Sequence, residues 1–387
     1  MIKINWTLKK LTIYLSIMPR KRRKKNKSNK SYELINLGKW TDDNTNRYLL
    51  GYNNNLDLID IENQNESDKL FDMRKSADVH RSVRKYAQEN LLKPGIKLID
   101  ICNGIENKIV ELFGGNNKDC GIGFPVGLSI NNIAAHDSAN PNDNRVLQYG
   151  DVCKVDFGTH VNGWITDSAF TVAFDPKFKP LLNASKDGTW TGIKLAGPDA
   201  RINEISEGIQ EIIESYEIEL DGKIYPIQAI KNLGGHNIKP YKIHADKLVL
   251  CAPDKNQEDI KMDVGECFAI ETFASTGLGF VNNEFSMKCN HYMKNYNPSF
   301  VDLKFNTSKK LLNYINKSRS TLPFCTRWIN NNHNSRYETS LSELVNKGIV
   351  EMYPPLVDES NSYTSQLEHT IYLHEYGKEI LSKGNDY

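Results

Sequence analysis

None of the seven cysteines, at 102, 120, 153, 251, 267, 289 and 325, stands in a CxxC pair. An odd number of scattered thiols argues for a reduced, cytoplasmic protein without a structural disulfide. A long apolar run is also missing. The most apolar early stretch, Leu11–Met18, has eight residues, whereas a bilayer span needs about 20. It runs directly into Pro19-Arg-Lys-Arg-Arg-Lys-Lys25 instead of a small-residue cleavage site, which argues against a signal peptide. Acidic residues are absent from positions 1–30, which hold eleven Lys and Arg, leaving 38 basic against 48 acidic side chains in the remainder. The net charge of +1 therefore hides a basic head on an acidic body. Such a head is either a solvated tail or, through residues 19–30, a segment that docks on ribosomal RNA or another polyanion by releasing its counterions. No repeat of fixed period is present. With 39% hydrophobic residues the chain can bury a core, which excludes disorder throughout.

Asn-rich stretches such as Tyr52-Asn-Asn-Asn55 and Asn63-Gln-Asn-Glu-Ser67 predict a disordered extension over residues 1–70, with one domain over 71–387. A helical pattern from Ser76 to Leu92 stops at Lys93-Pro94-Gly95, and Leu98, Ile101, Ile105, Ile109 and Leu112 mark a second helix before Gly114-Gly115. Alternation between Val152 and Val172, with Asn162-Gly163 in its middle, predicts a hairpin with a two-residue turn. In that register Asp156 lies opposite Ala169, and Asp167 falls on the same face as a diagonal neighbour. Helical spacing returns at Leu181–Leu195 and Ile202–Ile213, followed by strands at Cys267–Phe273 and Gln366–Leu373. Residues about 295–350 read as a helical insert, and this order of elements predicts an α+β fold.

Asp156, Asp167, Glu271 and Glu368 each interrupt a strand otherwise fit for a core. A buried carboxylate is costly unless a cation or hydrogen bonds compensate it. His236 follows Leu233-Gly-Gly235, whose backbone can turn sharply and aim an imidazole inward. Singly, each acid is as well explained by a hydrogen-bonded buried carboxylate, and His236 is better explained as a loop histidine. Together they predict a shared cation site. Four carboxylates exceed what one small divalent ion usually takes from protein, so two ions with bridging carboxylates are expected. Oxygen ligation with one nitrogen favours Mn(II), Fe(II) or Co(II), with Zn(II) also compatible.

Six segments, in order, carry a resemblance: Phe124-Pro-Val-Gly-Leu-Ser-Ile-Asn-Asn-Ile-Ala-Ala-His136, Lys154-Val-Asp-Phe-Gly-Thr-His160, Asn232-Leu-Gly-Gly-His236, Ala269-Ile-Glu-Thr-Phe273, Cys289-Asn-His-Tyr-Met-Lys294 and Gln366-Leu-Glu-His-Thr370. Across residues 72–387 the chain resembles the type 2 methionine aminopeptidases. The resemblance implies the pita-bread fold with the helical insert of type 2 enzymes over residues about 290–352. It further implies removal of the initiator methionine from nascent polypeptides whose second residue is small. Asp156, Asp167, His236, Glu271 and Glu368 fall on the metal-ligand positions, with Asp167 and Glu368 as bridging acids.

The same resemblance implies a hydroxide shared by two cations as the nucleophile, Glu271 as proton shuttle, and His136 and His244 as the catalytic imidazoles. Phe124, His136, Ile243, His244, His291, Met293 and Tyr353 fall on the substrate-binding positions. For His80, His160, His333 and His369 an ordinary core or surface role is expected. A monomer with no membrane contact is the expected state. Two other functions compete: a non-catalytic RNA- or ribosome-binding protein on the same scaffold, and a Xaa-Pro peptidase of the same fold.

Overall fold

Ser67 starts the first helix by accepting a hydrogen bond from the Leu70 N–H, and the helix runs over Asp68–Asn90 in the computed structural model. Residues 47–52, 56–59, 67–257, 259–298, 302–332 and 337–387 are described. The basic block at 19–30 and His333 lie outside the described residues. The helix begins before the expected Ser76 because Leu70, Met73 and Ala77 already form a buried stripe at three- and four-residue spacing. Leu98–Phe113 follows and ends at Gly114, whose φ of 72° gives the left-handed cap. Both helices cover one face of an antiparallel sheet of Cys120–Ile130, Val152–Val161 and Trp164–Ala173, in that order. Val83, Ile101, Ile105 and Ile109 meet Leu128, Val155 and Phe157 there. The hairpin has the expected turn, with positive φ at Asn162 (49°) and Gly163 (81°), and pairs Asp156 with Ala169 and Gly158 with Asp167.

A second half has the same order of parts. Helices Lys179–Leu195 and Ile202–Glu214 cover a sheet whose central strands are Gly234–Ile238, Cys267–Ser275 and Thr364–Leu373. Leu181, Ile193, Ile205, Ile209 and Ile213 pack with Phe268, Ile270 and Ile371. The repeat lies in the elements, and unequal connections keep it from appearing as a fixed period in the residues. Side-chain hydroxyls join the halves along one seam. Thr370 Oγ1 accepts from the Asp167 N–H (2.8 Å) and donates to the Asp167 carbonyl (2.6 Å). Ser168 donates to the Glu368 carbonyl, and Thr171 to that of Gln366.

The expectation of disorder as far as residue 70 needs correction. Arg47–Gly51 pairs with Gly377–Ile380 and with Leu56–Ile59, extending the second sheet. Leu50 is buried, and Tyr48 bonds to Asn385. Short strands are held largely by main-chain bonds, so polar surroundings in the sequence conceal them.

Between the paired strands Tyr292–Lys294 and Val350–Met352 stand helices Asn306–Ser318, Thr326–Asn332 and Tyr337–Asn346, with a core of their own around Leu311, Ile315, Phe324, Ile329, Leu341 and Leu344. A buried ion pair from Arg327 to Glu106, shared by the Trp328 indole N–H, fastens this insert to the second helix. Among the described residues no helix is long and apolar enough to cross a membrane.

Candidate active site

The hairpin puts Asp156 and Asp167 on one face. Strand register does the same for the second half: Glu271 stands opposite Glu368, and His236 opposite Ala269, two residues from Glu271 on the same strand. Because strand side chains alternate, His236, Glu271 and Glu368 share a face. The two faces meet along the hydroxyl seam. His236 Nε2 lies 3.5 Å from Asp167 Oδ2 and 3.8 Å from Glu271 Oε1. Ligand atoms of Asp167, His236 and Glu368 all lie within 4.8 Å of one another.

The glycines before His236 have a different reason from the sharp turn expected. They lie in a strand flanked on both sides. A Cβ on Gly235 would sit 2.2 Å from the Ala269 carbonyl oxygen, and one on Gly234 would sit 2.4 Å from that of Val249. Only glycine allows this approach of backbones.

Burial raises the Asp156 carboxyl to about 6, against a hydrogen bond from Gln366 that lowers it. Asp167, Glu271 and Glu368 are pushed well above the usual range, by burial first and then by neighbouring charge: that of Asp156 for Asp167, and that of Asp167 foremost for the two glutamates. Burial, followed by His244, holds His236 well below the ordinary imidazole value. Among the described residues, buried Asp156 Oδ1 and Glu368 Oε2 have no hydrogen-bond partner. Crowded carboxylates with unmatched oxygens and one neutral imidazole are the donor set of a divalent cation, whose charge would favour the ionised acids.

These groups border a cavity of about 270 Å³. Every residue expected in the site lines it: Phe124, His136, Asp156, Asp167, His236, Ile243, His244, Glu271, His291, Met293, Tyr353 and Glu368. Phe124, Ile243, Met293 and Pro323 give it an apolar wall. The imidazoles stand on its polar side. His244 packs edge-on to His236 with ring centroids 4.3 Å apart, and His136 lies 5.7 Å from Tyr353 and 5.9 Å from His291. Burial lowers His136 to about 3 and both His244 and His291 to about 4, so each is a neutral donor near neutral pH.

His80, His160 and His369 lie elsewhere, bonded to the Phe157 carbonyl, the Asn117 carbonyl and the Ser382 hydroxyl. Sequence reasoning missed Gln366, whose amide donates to Glu271 Oε2 at 3.0 Å and approaches Asp156 Oδ2 at 3.4 Å. Its position two residues before Glu368, on the same strand face, was the available signal.

Residues 72–293 match the profile of metallopeptidase family M24. Methionine aminopeptidase 2A of Arabidopsis thaliana is 50% identical over 316 residues, which is 81% of this chain and 70% of that protein. Among solved structures, a thermophilic Arx1 superposes with a TM-score of 0.70 at 20% identity, covering 82% of this chain and 91% of that one. The methionine aminopeptidase of Thermotoga maritima gives a TM-score of 0.55 at 18% identity, over 83% and 99% of the two chains. At such identities the structural likeness bears on the fold, which is the expected pita-bread arrangement.

Proposed function

Because the chain belongs to metallopeptidase family M24, on the side of its methionine aminopeptidase 2 relatives, we propose that it removes the initiator methionine from nascent polypeptides whose second residue is small. The observation that carries this reading is the convergence of five metal-binding side chains and an apolar wall on one cavity. Asp156, Asp167, His236, Glu271 and Glu368 would hold two divalent cations, of Mn, Fe, Co or Zn. As in aminopeptidases generally, such ions when bound make a water acidic near neutral pH and polarise the scissile carbonyl.

The chain's own groups supply the rest. Phe124, Ile243, His291, Met293 and Tyr353 surround the methionine side chain and exclude water from it. Glu271 takes the proton from the attacking water and returns it to the departing amine. His136 and His244, kept neutral by burial, donate hydrogen bonds to the charge that develops on the substrate amide, already oriented before reaction. Gln366 holds Asp156 and Glu271 in mutual alignment by donating to both. The seven free thiols fit a reducing cytoplasm. A net negative body disfavours self-association and fits a monomer that meets nascent chains there.

The test is methionine release from Met-Ala and Met-Gly peptides, expected to disappear on chelation and return with Mn(II) or Co(II). Full turnover by metal-stripped protein would overturn the reading. Cleavage ahead of proline without preference for methionine would replace it with a Xaa-Pro peptidase.

A further inference from the structure

Arg319 follows the insert helix Asn306–Ser318, and its side chain is 3% exposed. Among the described residues, the acceptors of its hydrogen bonds are uncharged. Nη2 donates to the carbonyls of Ile122 (2.8 Å), Gly123 (3.0 Å) and Pro323 (3.0 Å). Nη1 donates to Asn116 Oδ1 at 3.2 Å, and the same oxygen accepts from the Ile122 N–H at 3.1 Å. The Trp328 ring lies 4.9 Å from the guanidinium carbon, and among the described residues buried Nε has no hydrogen-bond partner. Burial pulls the group down to about 10. A guanidinium in this setting is costly, and its contacts hold two segments of the cavity wall together.

Two of the gripped carbonyls belong to an irregular stretch of strand. Ile122 pairs with Thr159, Phe124 with Gly158 and Gly127 with Asp156, so an extra residue lies on each side of Phe124. Bulges of this kind re-aim a side chain. Here the Phe124 ring lies over Gly158, where a Cβ would come within 2.3 Å of it. The third carbonyl belongs to Pro323 of the insert, which lines the same cavity as Phe124 and Pro125.

We propose that Arg319 is a specificity-determining positioning residue. By tying Ile122 and Gly123 of the body to Pro323 of the insert, it fixes the separation between two walls of the chamber that receives the substrate's N-terminal side chain. This rests on the reading of that cavity as the methionine chamber.

The test compares the metal-loaded full chain with Arg319→Met, which keeps length and contact with Trp328 but removes every hydrogen bond. kcat/KM is measured on Xaa-Gly peptides with N-terminal Met, Leu or Phe. The preference for Met falls about tenfold, the range expected when an apolar pocket loses its shape. Most of the loss on Met peptides is in KM, and Arg319→Lys, with the charge but not the planar fork, falls between. Parallel loss on all three substrates, with an unchanged preference, is the signature of a merely structural role and overturns the proposal.

If Arg319→Met does not fold, Asn116→Ala must relax the preference in the same direction, and an unchanged preference again overturns the proposal. A wild-type chain that releases no methionine defeats the underlying reading instead. In that case amide exchange over residues 120–126 decides: faster exchange in Arg319→Lys supports the clamp, and unchanged exchange removes it.

Discussion

In the first half of the body, Asp156 and Asp167 stand on one hairpin closed by Asn162 and Gly163, whereas in the second half Glu271 and Glu368 face each other across strands separated by the whole insert. The same chemical arrangement is thus reached by a local route and by a distant one. Register in the hairpin follows from its turn. Register in the second sheet follows from burial on both faces, from the close approach of Gly234 and Gly235, and from the hydroxyl seam that holds Thr364–Leu373 against Trp164–Ala173. Closing the longer loop adds little entropy cost, but only tertiary contacts then select the correct pairing.

The strongest test of the equivalence of the halves is on activity. Glu271→Gln preserves volume while removing the proton carrier, so kcat should fall by about 10²–10⁴-fold with an unchanged circular dichroism spectrum. Wild-type turnover in that variant would show that the second half does not supply the shuttle. Next comes stability. Gly235→Ala sets a methyl against the Ala269 carbonyl, which cannot move aside, and should cost about 3 kcal/mol in urea unfolding. Gly158→Ala meets the Phe124 ring, which can rotate. It should cost about 1 kcal/mol and raise KM instead. Equal costs would erase the distinction between rigid and adaptable neighbours.

Smaller effects sharpen the seam and the core. Thr370→Val leaves the Asp167 N–H and carbonyl without their shared partner, which should lower stability by about 1–3 kcal/mol and reduce kcat more than it raises KM. Burial first, with Arg319 second, holds His160 at about 3. Its folded value lies below that of the unfolded chain, about 6.5. The associated stability is complete above that pH and declines as pH falls towards 3. His160→Gln should therefore lose about 1–2 kcal/mol less than wild type between pH 7 and pH 5, measured by urea midpoints. Identical pH slopes would show that His160 makes no contribution.

What could be read directly from the sequence follows this local–distant division. Acids placed inside apolar strands, the Asn-Gly turn and the parity it sets were visible in neighbouring residues. The opposition of Glu271 and Glu368 was not legible, because no local pattern encodes which strands pair, and the contact of Ile243 and Tyr353 with the chamber reached the sequence reading only through family resemblance. Arg47–Gly51 was hidden by its polar surroundings, since a five-residue strand paired on both sides is held largely by main-chain bonds. Arg319 was hidden for another reason. A positively charged residue at a helix end reads as solvated, and only the tertiary structure reveals three carbonyls converging on it.

The stem of the insert has one more consequence. Tyr292–Lys294 and Val350–Met352 run side by side, and the Tyr353 N–H bonds the His291 carbonyl at 2.9 Å just below them. A segment whose two ends leave the body as neighbours can be gained or lost by a lineage in a single recombination event, without rethreading any sheet. Because Met293 and Pro323 would travel with it, such an event would alter the enzyme's diet at the same time as its outline.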